Sequence, residues 1–438
     1  MTRELREYQH KAIDFMQPRP MSGGFIDCGL GKTAIGLHIL LNRPKPLILV
    51  APIQVIETVW AQESQLWGKT KGLTFSLVRG SPKDRILAAK RPADVYLVNP
   101  ELLDTVLPLL PHARGLVIDE SSTFKNYKSV RFRTMKRYLK RFEFVHIFTG
   151  TPAPNSLLDL WPQIYMLDQG ARLGKSFSAY KDRFFEQADY MGFKFRLRPG
   201  ASDKILELIS DIVIRIDAAD HLPPRSVLTN EIRINLPPGV LREYKRMEKD
   251  AFAKFSETAV TADTAVAALM KLRQMASGYV YDDEQEVVEV HTEKIEALRH
   301  IIAETGSPVL VIYQFLHELA AIKAAFPQIV MFKPDKVDPW NRGEIPLMAI
   351  HPKSGGHGVN LQDGGHTMAI FSASFSSEEM TQTMARIDRQ GQTKPVIFHR
   401  IICNETVDEL LYEVLEDKAH NQMNLLERIK HYAASHHR

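Results

Sequence analysis

The stretch "GGFIDCGLGKTAIGLHILL", Gly23–Leu41, runs from an apolar, strand-like segment through a glycine loop into an apolar helical segment. Gly29 and Gly31 stand in the loop, and Lys32 and Thr33 open the helical run. Glycines let backbone N–H groups close around phosphate oxygens at a helix N-terminus, Lys32 supplies charge, and Thr33 offers a hydroxyl to magnesium. The full G-x-x-x-x-G-K-[ST] pattern is not met, because Ile26 stands where its first glycine belongs. Read alone, G-x-G-K-T leaves a plain loop-to-helix turn as a competing reading.

Downstream, "GLVIDES" weakens that alternative. An apolar strand ending in Asp119 and Glu120 is how a phosphate-loop enzyme sets one carboxylate on magnesium and a second beside the attacking water. The surroundings agree. From Pro46 onward "PLILVAP", "FSLVRG", "DVYLVNP", "GLVIDE" and "FVHIFTG" are short buried-strand runs alternating with helical patterns, the mark of a parallel sheet flanked by helices. The pattern returns after about residue 295 in "PVLVIYQF", "PLMAIHP", "TMAIFSAS" and "PVIFHRII". Two α/β units are expected.

Between them, 157–290 reads as helical, punctuated by the proline pairs in "HLPPRS" and "NLPPGV". The expected division is a first lobe at 1–156, helical segments at 157–222 and 223–290, and a second lobe at 291–438. Within the first helical segment the alternation of "FKFRLR" suggests a small hairpin arm. Its aromatics with Lys194, Arg196 and Arg198 suit either nucleic-acid contact or a packed core with a basic edge.

A chain of 438 residues is long enough for two or three domains at about 150 residues each. Hydrophobic and charged fractions of 44% and 25% are those of a globular protein. A net charge of +4 permits a nucleic-acid partner, provided the charge is clustered. Cys28 and Cys403, the two cysteines, form neither a disulfide framework nor a paired metal motif, which fits a reducing cytoplasm. No targeting signal is read at the start, and "PLILVAPI" falls far short of the ~20 residues that span a bilayer. The closing "HYAASHHR" reads as a solvated tail before it reads as a histidine metal site.

One more stretch asks for a target. "TQTMARIDRQGQ", Thr381–Gln392, sets Arg386 and Arg389 three residues apart, on one face if the segment is helical. Two guanidinium forks in place of lysines suit a planar or anionic ligand.

The ordered set "LREYQ", "CGLGKT", "VAPIQVIETVW", "VNPELL", "VIDESSTFKN", "FTGTPAPNSLLDLW", "LRQMASGYV", "KSGGHGVNLQ" and "QTMARIDRQGQTKPV" resembles a superfamily-two helicase-type motor of the Swi/Snf group, especially its compact bacteriophage and bacterial members. The resemblance runs through nearly the whole chain. It implies an α/β fold of two RecA-like P-loop lobes with helical protrusions between them. It also implies a monomeric ATP hydrolase of the bacterial or phage-infected cytoplasm, stimulated by DNA, that moves along double-stranded DNA and remodels or displaces bound protein.

Carried over residue by residue, the resemblance places Gln9 on adenine, Gly29, Gly31, Lys32 and Thr33 on the phosphates, and Gln392 in the nucleotide-binding set. Thr33 and Asp119 organise magnesium, Glu120 handles the water, and Arg386 and Arg389 match the arginine-finger motif. Asn99, Lys125, Asn126, Thr149, Thr151, Ser354, Gly355, Gly356 and Asn360 stand where DNA contacts or coupling residues are expected. The usual D-E-A-H is here "DESS", so coupling to the next motif would use the hydroxyls of Ser121 and Ser122. No added reader domain is apparent. Alternatives are a strand-separating or branch-migration helicase, a track of single-stranded DNA or RNA, and an ATP-switched binding protein acting on a partner such as RNA polymerase.

Overall fold

The computed structural model describes residues 4–416 apart from 154–155, 188–194, 222–226, 258–261, 282–285, 354–358 and 390. The chain divides into two compact units, the first taking in Met1–Pro224 and the second beginning at Arg225.

The first unit carries β1 (Met21–Ile26), β2 (Leu47–Val50), β3 (Phe75–Leu77), β4 (Val95–Val98), β5 (Gly115–Asp119), β6 (Phe144–Thr149), the short pair β7 (Phe185–Gln187) and β8 (Phe195–Leu197), and β9 (Val213–Ile216). Seven of them form one parallel sheet in the order β3-β4-β2-β5-β6-β1-β9. Every residue of β2, β4, β5 and β6 is buried, because helices cover both faces, and that is why these strands read as unbroken apolar runs. Two hydrophobic clusters fill the two sides. Gly115 opens β5 without a side chain because a Cβ there would lie 1.8 Å from the Phe144 ring on β6. The order makes β5, β6 and β1 neighbours, so the loops leaving their C-terminal ends converge, where open α/β sheets bind ligands.

β9 lies within the stretch 157–222 that otherwise reads as helical. It pairs with β1 from Gly23↔Val213 to Ile26↔Ile216, exposing only Arg215. The helix Leu160–Asp168 packs on β1 and β6. β7 and β8 form the expected antiparallel arm. Its arginines are engaged locally: Arg196 Nε pairs with Glu186 at 2.6 Å, and Arg198 donates to the Phe185 and Asp182 carbonyls. Lys194 lies outside the described residues.

The second unit carries β10 (Val227–Ile234), β11 (Tyr279–Tyr281), β12 (Val287–Glu289), β13 (Val309–Ile312), β14 (Val330–Met331), β15 (Leu347–Ile350), β16 (Thr367–Ile370) and β17 (Val396–Cys403). Six form a second parallel sheet, β10-β17-β16-β13-β15-β14, while β11 and β12 make a small antiparallel ribbon. The helices Pro238–Glu257 and Ala262–Ala276 supply most of the helical content before β11. All nine strand runs read from the sequence are strands, in two parallel sheets flanked by helices. Among the described residues no helix is long and apolar enough to cross a membrane.

Candidate active site

The phosphate loop follows β1. Gly29 has φ 86°, and Gly31, at φ 80° and ψ 42°, caps the helix Lys32–Leu41. Glycine adopts these left-handed conformations without strain. Gly31 has a second reason to lack a side chain: a Cβ would lie 2.4 Å from the Gln9 amide nitrogen. Gln9 is buried, its Nε2 donating to the Leu30 carbonyl at 3.0 Å and its Oε1 accepting from the Arg6 N–H at 2.9 Å. Gln9 therefore braces the loop from behind. Lys32 Nζ donates to the Ile26 carbonyl at 3.0 Å, and a Cβ on Gly150 would stand only 3.2 Å from it, so the "TGTP" segment passes directly over the loop.

Asp119 ends β5, and its Oδ2 accepts a 3.0 Å hydrogen bond from the Trp60 indole. Burial, reinforced by the neighbouring Glu120 charge, pushes its pKa up to about 6, against the opposing pull of Lys32 and the indole donor. Trp60 fits because Gly36 on the adjoining helix lacks a Cβ, which would lie 2.5 Å from the indole ring. A glycine cradle at a helix N-terminus, an ammonium, the half-buried hydroxyl of Thr33 and a buried carboxylate form an oxygen-rich set suited to a magnesium-bound polyphosphate.

Glu120 turns the chain sharply at φ 63° and ψ 60°, a left-handed conformation that costs a non-glycine residue about 1–3 kcal/mol. The surrounding bonds hold it there. Glu120 Oε1 accepts from Ser122 Oγ at 3.0 Å and from Thr149 Oγ1, at the end of β6, at 2.8 Å. Ser121 Oγ donates to Gln163 Oε1 at 2.7 Å, and Gln163 Nε2 donates to the Pro152 and Asp159 carbonyls at 2.5 and 2.9 Å. The hydroxyls that replace Ala and His in "DESS" thus bond Gln163 and Glu120, the two side chains that in turn reach Pro152 and Thr149 of the "TGTP" segment. Thr151 N–H closes the turn onto Thr149 Oγ1.

The other expected residues are more dispersed. Asn99 follows β4, two strands from β5, and donates to Glu101 Oε2 at 2.9 Å. Lys125 is half-buried just after the acid loop, and Asn126 is exposed, its Oδ1 accepting the Lys128 N–H. Trp60 and Gln163 are site residues to which motif reading assigns no role: Trp60 closes the quoted "VAPIQVIETVW", and Gln163 is an amide within the apolar helical run "LWPQIYML".

In the second unit the arginines depart from expectation. The helix Ser377–Met384 ends before them, because the Arg386 N–H bonds Thr383 at i−3 and the Arg386 carbonyl is taken by the Leu361 N–H. Arg386 is buried and Arg389 half-buried, both in turns, so a shared helical face does not describe them. Gln392 uses its amide N–H groups on the Gln362 and Gly365 carbonyls at 2.8 and 3.1 Å, tying two loops together. Asn360 is half-buried, its backbone carbonyl accepting from Asn341 Nδ2. Ser354, Gly355 and Gly356 lie outside the described residues.

The family model of the SNF2-related domain matches residues 8–278, which include the phosphate loop, the acid pair and the "TGTP" segment. The chain belongs to the SNF2-related family. As such it is a helicase-like, ATP-dependent ATPase core of Swi/Snf type. It is 34% identical to putative protein p41 of Acyrthosiphon pisum secondary endosymbiont phage 1, over 97% of this chain and 98% of that one. It is 23% identical to the CHD3-type chromatin-remodeling factor CHR7 of Arabidopsis thaliana, over 95% of this chain but only 37% of the plant protein. Among solved structures it is similar to the Sulfolobus solfataricus SWI2/SNF2 ATPase core in complex with dsDNA, at 21% identity and a TM-score of 0.45, covering 95% of this chain and 92% of that one.

Proposed function

We propose that this SNF2-family chain is a DNA-stimulated ATPase that moves along double-stranded DNA and displaces or remodels bound protein. The observation that carries the reading is the junction of three neighbouring strand ends: the glycine loop after β1, the acid pair after β5 and the Thr149 hydroxyl after β6. In this reading Lys32 and the loop N–H groups hold the phosphates of ATP. Glu120, held at Oε1 by Ser122 and Thr149, orients and deprotonates the attacking water with Oε2. Magnesium, held by Thr33 and Asp119, would neutralise charge on the phosphates.

Arg386 and Arg389 are assigned to the charge on the transferred phosphoryl group, a role worth on the order of 10³–10⁵ in rate. Phosphate ligands in one unit and arginines in the other mean that turnover requires both units to engage one nucleotide, which ties their closing to ATP. Asn99, Lys125, Asn126, Thr151, Ser354, Gly355, Gly356 and Asn360 are the proposed backbone contacts or coupling residues, reading no base sequence. Of the segments 157–222 and 223–290, the parts other than β9, β10 and the helix Leu160–Asp168, which belong to the two units' own sheets and core, are proposed as protrusions between the lobes.

The test is displacement of a protein roadblock, such as streptavidin on biotinylated duplex, with ATP present or absent. ATP-dependent release without strand separation supports the reading. Strand separation on the same substrate would favour the unwinding alternative, and release indifferent to ATP would sink both.

A further inference from the structure

The positive charge of this chain is concentrated in one segment. Lys125–Arg141 contains eight lysines and arginines and no acid, so with the whole chain at +4 all other residues together carry −4. At its centre is the helix Val130–Tyr138, capped by Ser129, whose Oγ accepts the Phe132 N–H at 3.2 Å, and extended by a 3-10 turn at Leu139–Arg141. Phe132, Met135 and Leu139 are buried and fasten this element to the first unit's core.

Arg133, Arg137 and Lys140, spaced i, i+4 and i+7, follow one another along a different face with Lys136 beside them, and all four are exposed. An ordinary solvated face mixes signs, since like charges one turn apart destabilise a helix. Here the mixing is absent. Arg131 lies 3.7 Å from Glu101, and Arg141 donates to the Leu107 carbonyl. Arg133, Arg137 and Lys140 have no ion pair among the described residues.

We propose that this face docks the phosphate backbone of duplex DNA, at positions outside the motif residues assigned above. The proposal rests on the DNA reading of the preceding section. Three cations spread over about seven helical residues span roughly 10 Å, comparable to three phosphate steps of about 3.4 Å along one strand. Guanidinium forks suit phosphate oxygens. A protein partner would need a desolvated apolar anchor, and Val130 is the one exposed apolar side chain on this helix. The surface also continues from the candidate contacts: Lys125 and Asn126 lead into it, and Arg131 meets the Glu101 carboxylate that accepts from Asn99.

The experiment compares the full chain with the triple variant Arg133→Gln, Arg137→Gln, Lys140→Gln and with a control triple variant, Lys69→Gln, Lys71→Gln, Lys83→Gln, drawn from exposed lysines of the same unit. Duplex affinity is measured by fluorescence anisotropy between about 50 and 200 mM salt, where each phosphate contact contributes about 0.9 to the slope of log K against log salt. The slope is expected to fall by roughly 2 to 3 in the test variant and to stay unchanged in the control, with DNA-free ATP hydrolysis and thermal midpoint as in the wild type. An unchanged slope in the test variant, or an equal fall in the control, overturns the proposal. The DNA reading fails separately: a wild type that hydrolyses ATP but binds no duplex sinks that reading and this face with it, whereas normal wild-type binding with no response in the variant sinks this face alone.

Discussion

Replacing Gln163 with methionine keeps the volume and helix propensity of a fully buried side chain and removes only its amide. The wild-type amide accepts from Ser121 and donates to two carbonyls, so the variant leaves a hydroxyl and two carbonyl oxygens short of a partner. The buried Ser121 hydroxyl carries the largest single cost, about 1–3 kcal/mol, and with the two part-buried carbonyls the expected loss of stability is about 2–4 kcal/mol. Ser121→Ala alone should cost about 1 kcal/mol, and the double variant should be no worse than Gln163→Met, because the hydroxyl bond is already gone. Urea unfolding followed by tryptophan fluorescence reads the stability, since Trp60, Trp67 and Trp161 all lie in the first unit. Because Ser121 adjoins Glu120, ATP turnover should fall about tenfold in each single variant, equivalent to about 1.4 kcal/mol, while KM for ATP stays put. Additive losses, or an effect carried by KM, would refute the idea that Gln163 acts through the acid loop.

Asp119→Asn should abolish turnover yet stabilise the metal-free protein at neutral pH. A folded-state pKa raised from 3.8 to about 6 means the native protein keeps a proton that the unfolded chain has lost, so stability falls as pH rises through that window, by about 3 kcal/mol. His146, pushed down to about 3 by burial and Arg43, acts in the opposite sense but is common to both proteins. The difference in urea midpoint between variant and wild type should therefore grow between pH 4.5 and 8, and parallel profiles would contradict it. Gly31→Ala forces a Cβ onto both a left-handed backbone and the Gln9 amide, and should weaken labelled-ATP binding and cost about 1–2 kcal/mol of stability. Wild-type binding would show that the loop tolerates a side chain. Trp60→Phe keeps most of the ring and removes the donor to Asp119, so half-maximal turnover should need several-fold more magnesium while magnesium-free nucleotide binding is unchanged; an unaltered metal requirement would dismiss the indole as a positioning group.

Much of the fold was legible because buried parallel strands are continuous apolar runs, and all nine such runs are strands. β10 escaped because Val227–Glu231 are exposed and its eight-residue pairing with β17 is made across more than 160 residues of sequence. The helical placement of Arg386 and Arg389 failed for a related reason: the helix is stopped partly by Leu361, which no local pattern around the arginines reveals. Within the site, the glycines and the acid pair are legible together, because the acidic strand end settles what the incomplete glycine spacing leaves open. Trp60 and Gln163 are not, because their contacts exist only once the sheet order brings the end of β5 against helices from elsewhere in the chain.

The central claim is tested most directly by phosphate release from ATP without nucleic acid and with duplex DNA, single-stranded DNA or RNA, for the wild type, Lys32→Ala and Arg389→Ala. The account predicts strong stimulation by duplex that is lost in both variants. Hydrolysis indifferent to every nucleic acid, or unaffected by loss of Arg389, would contradict it.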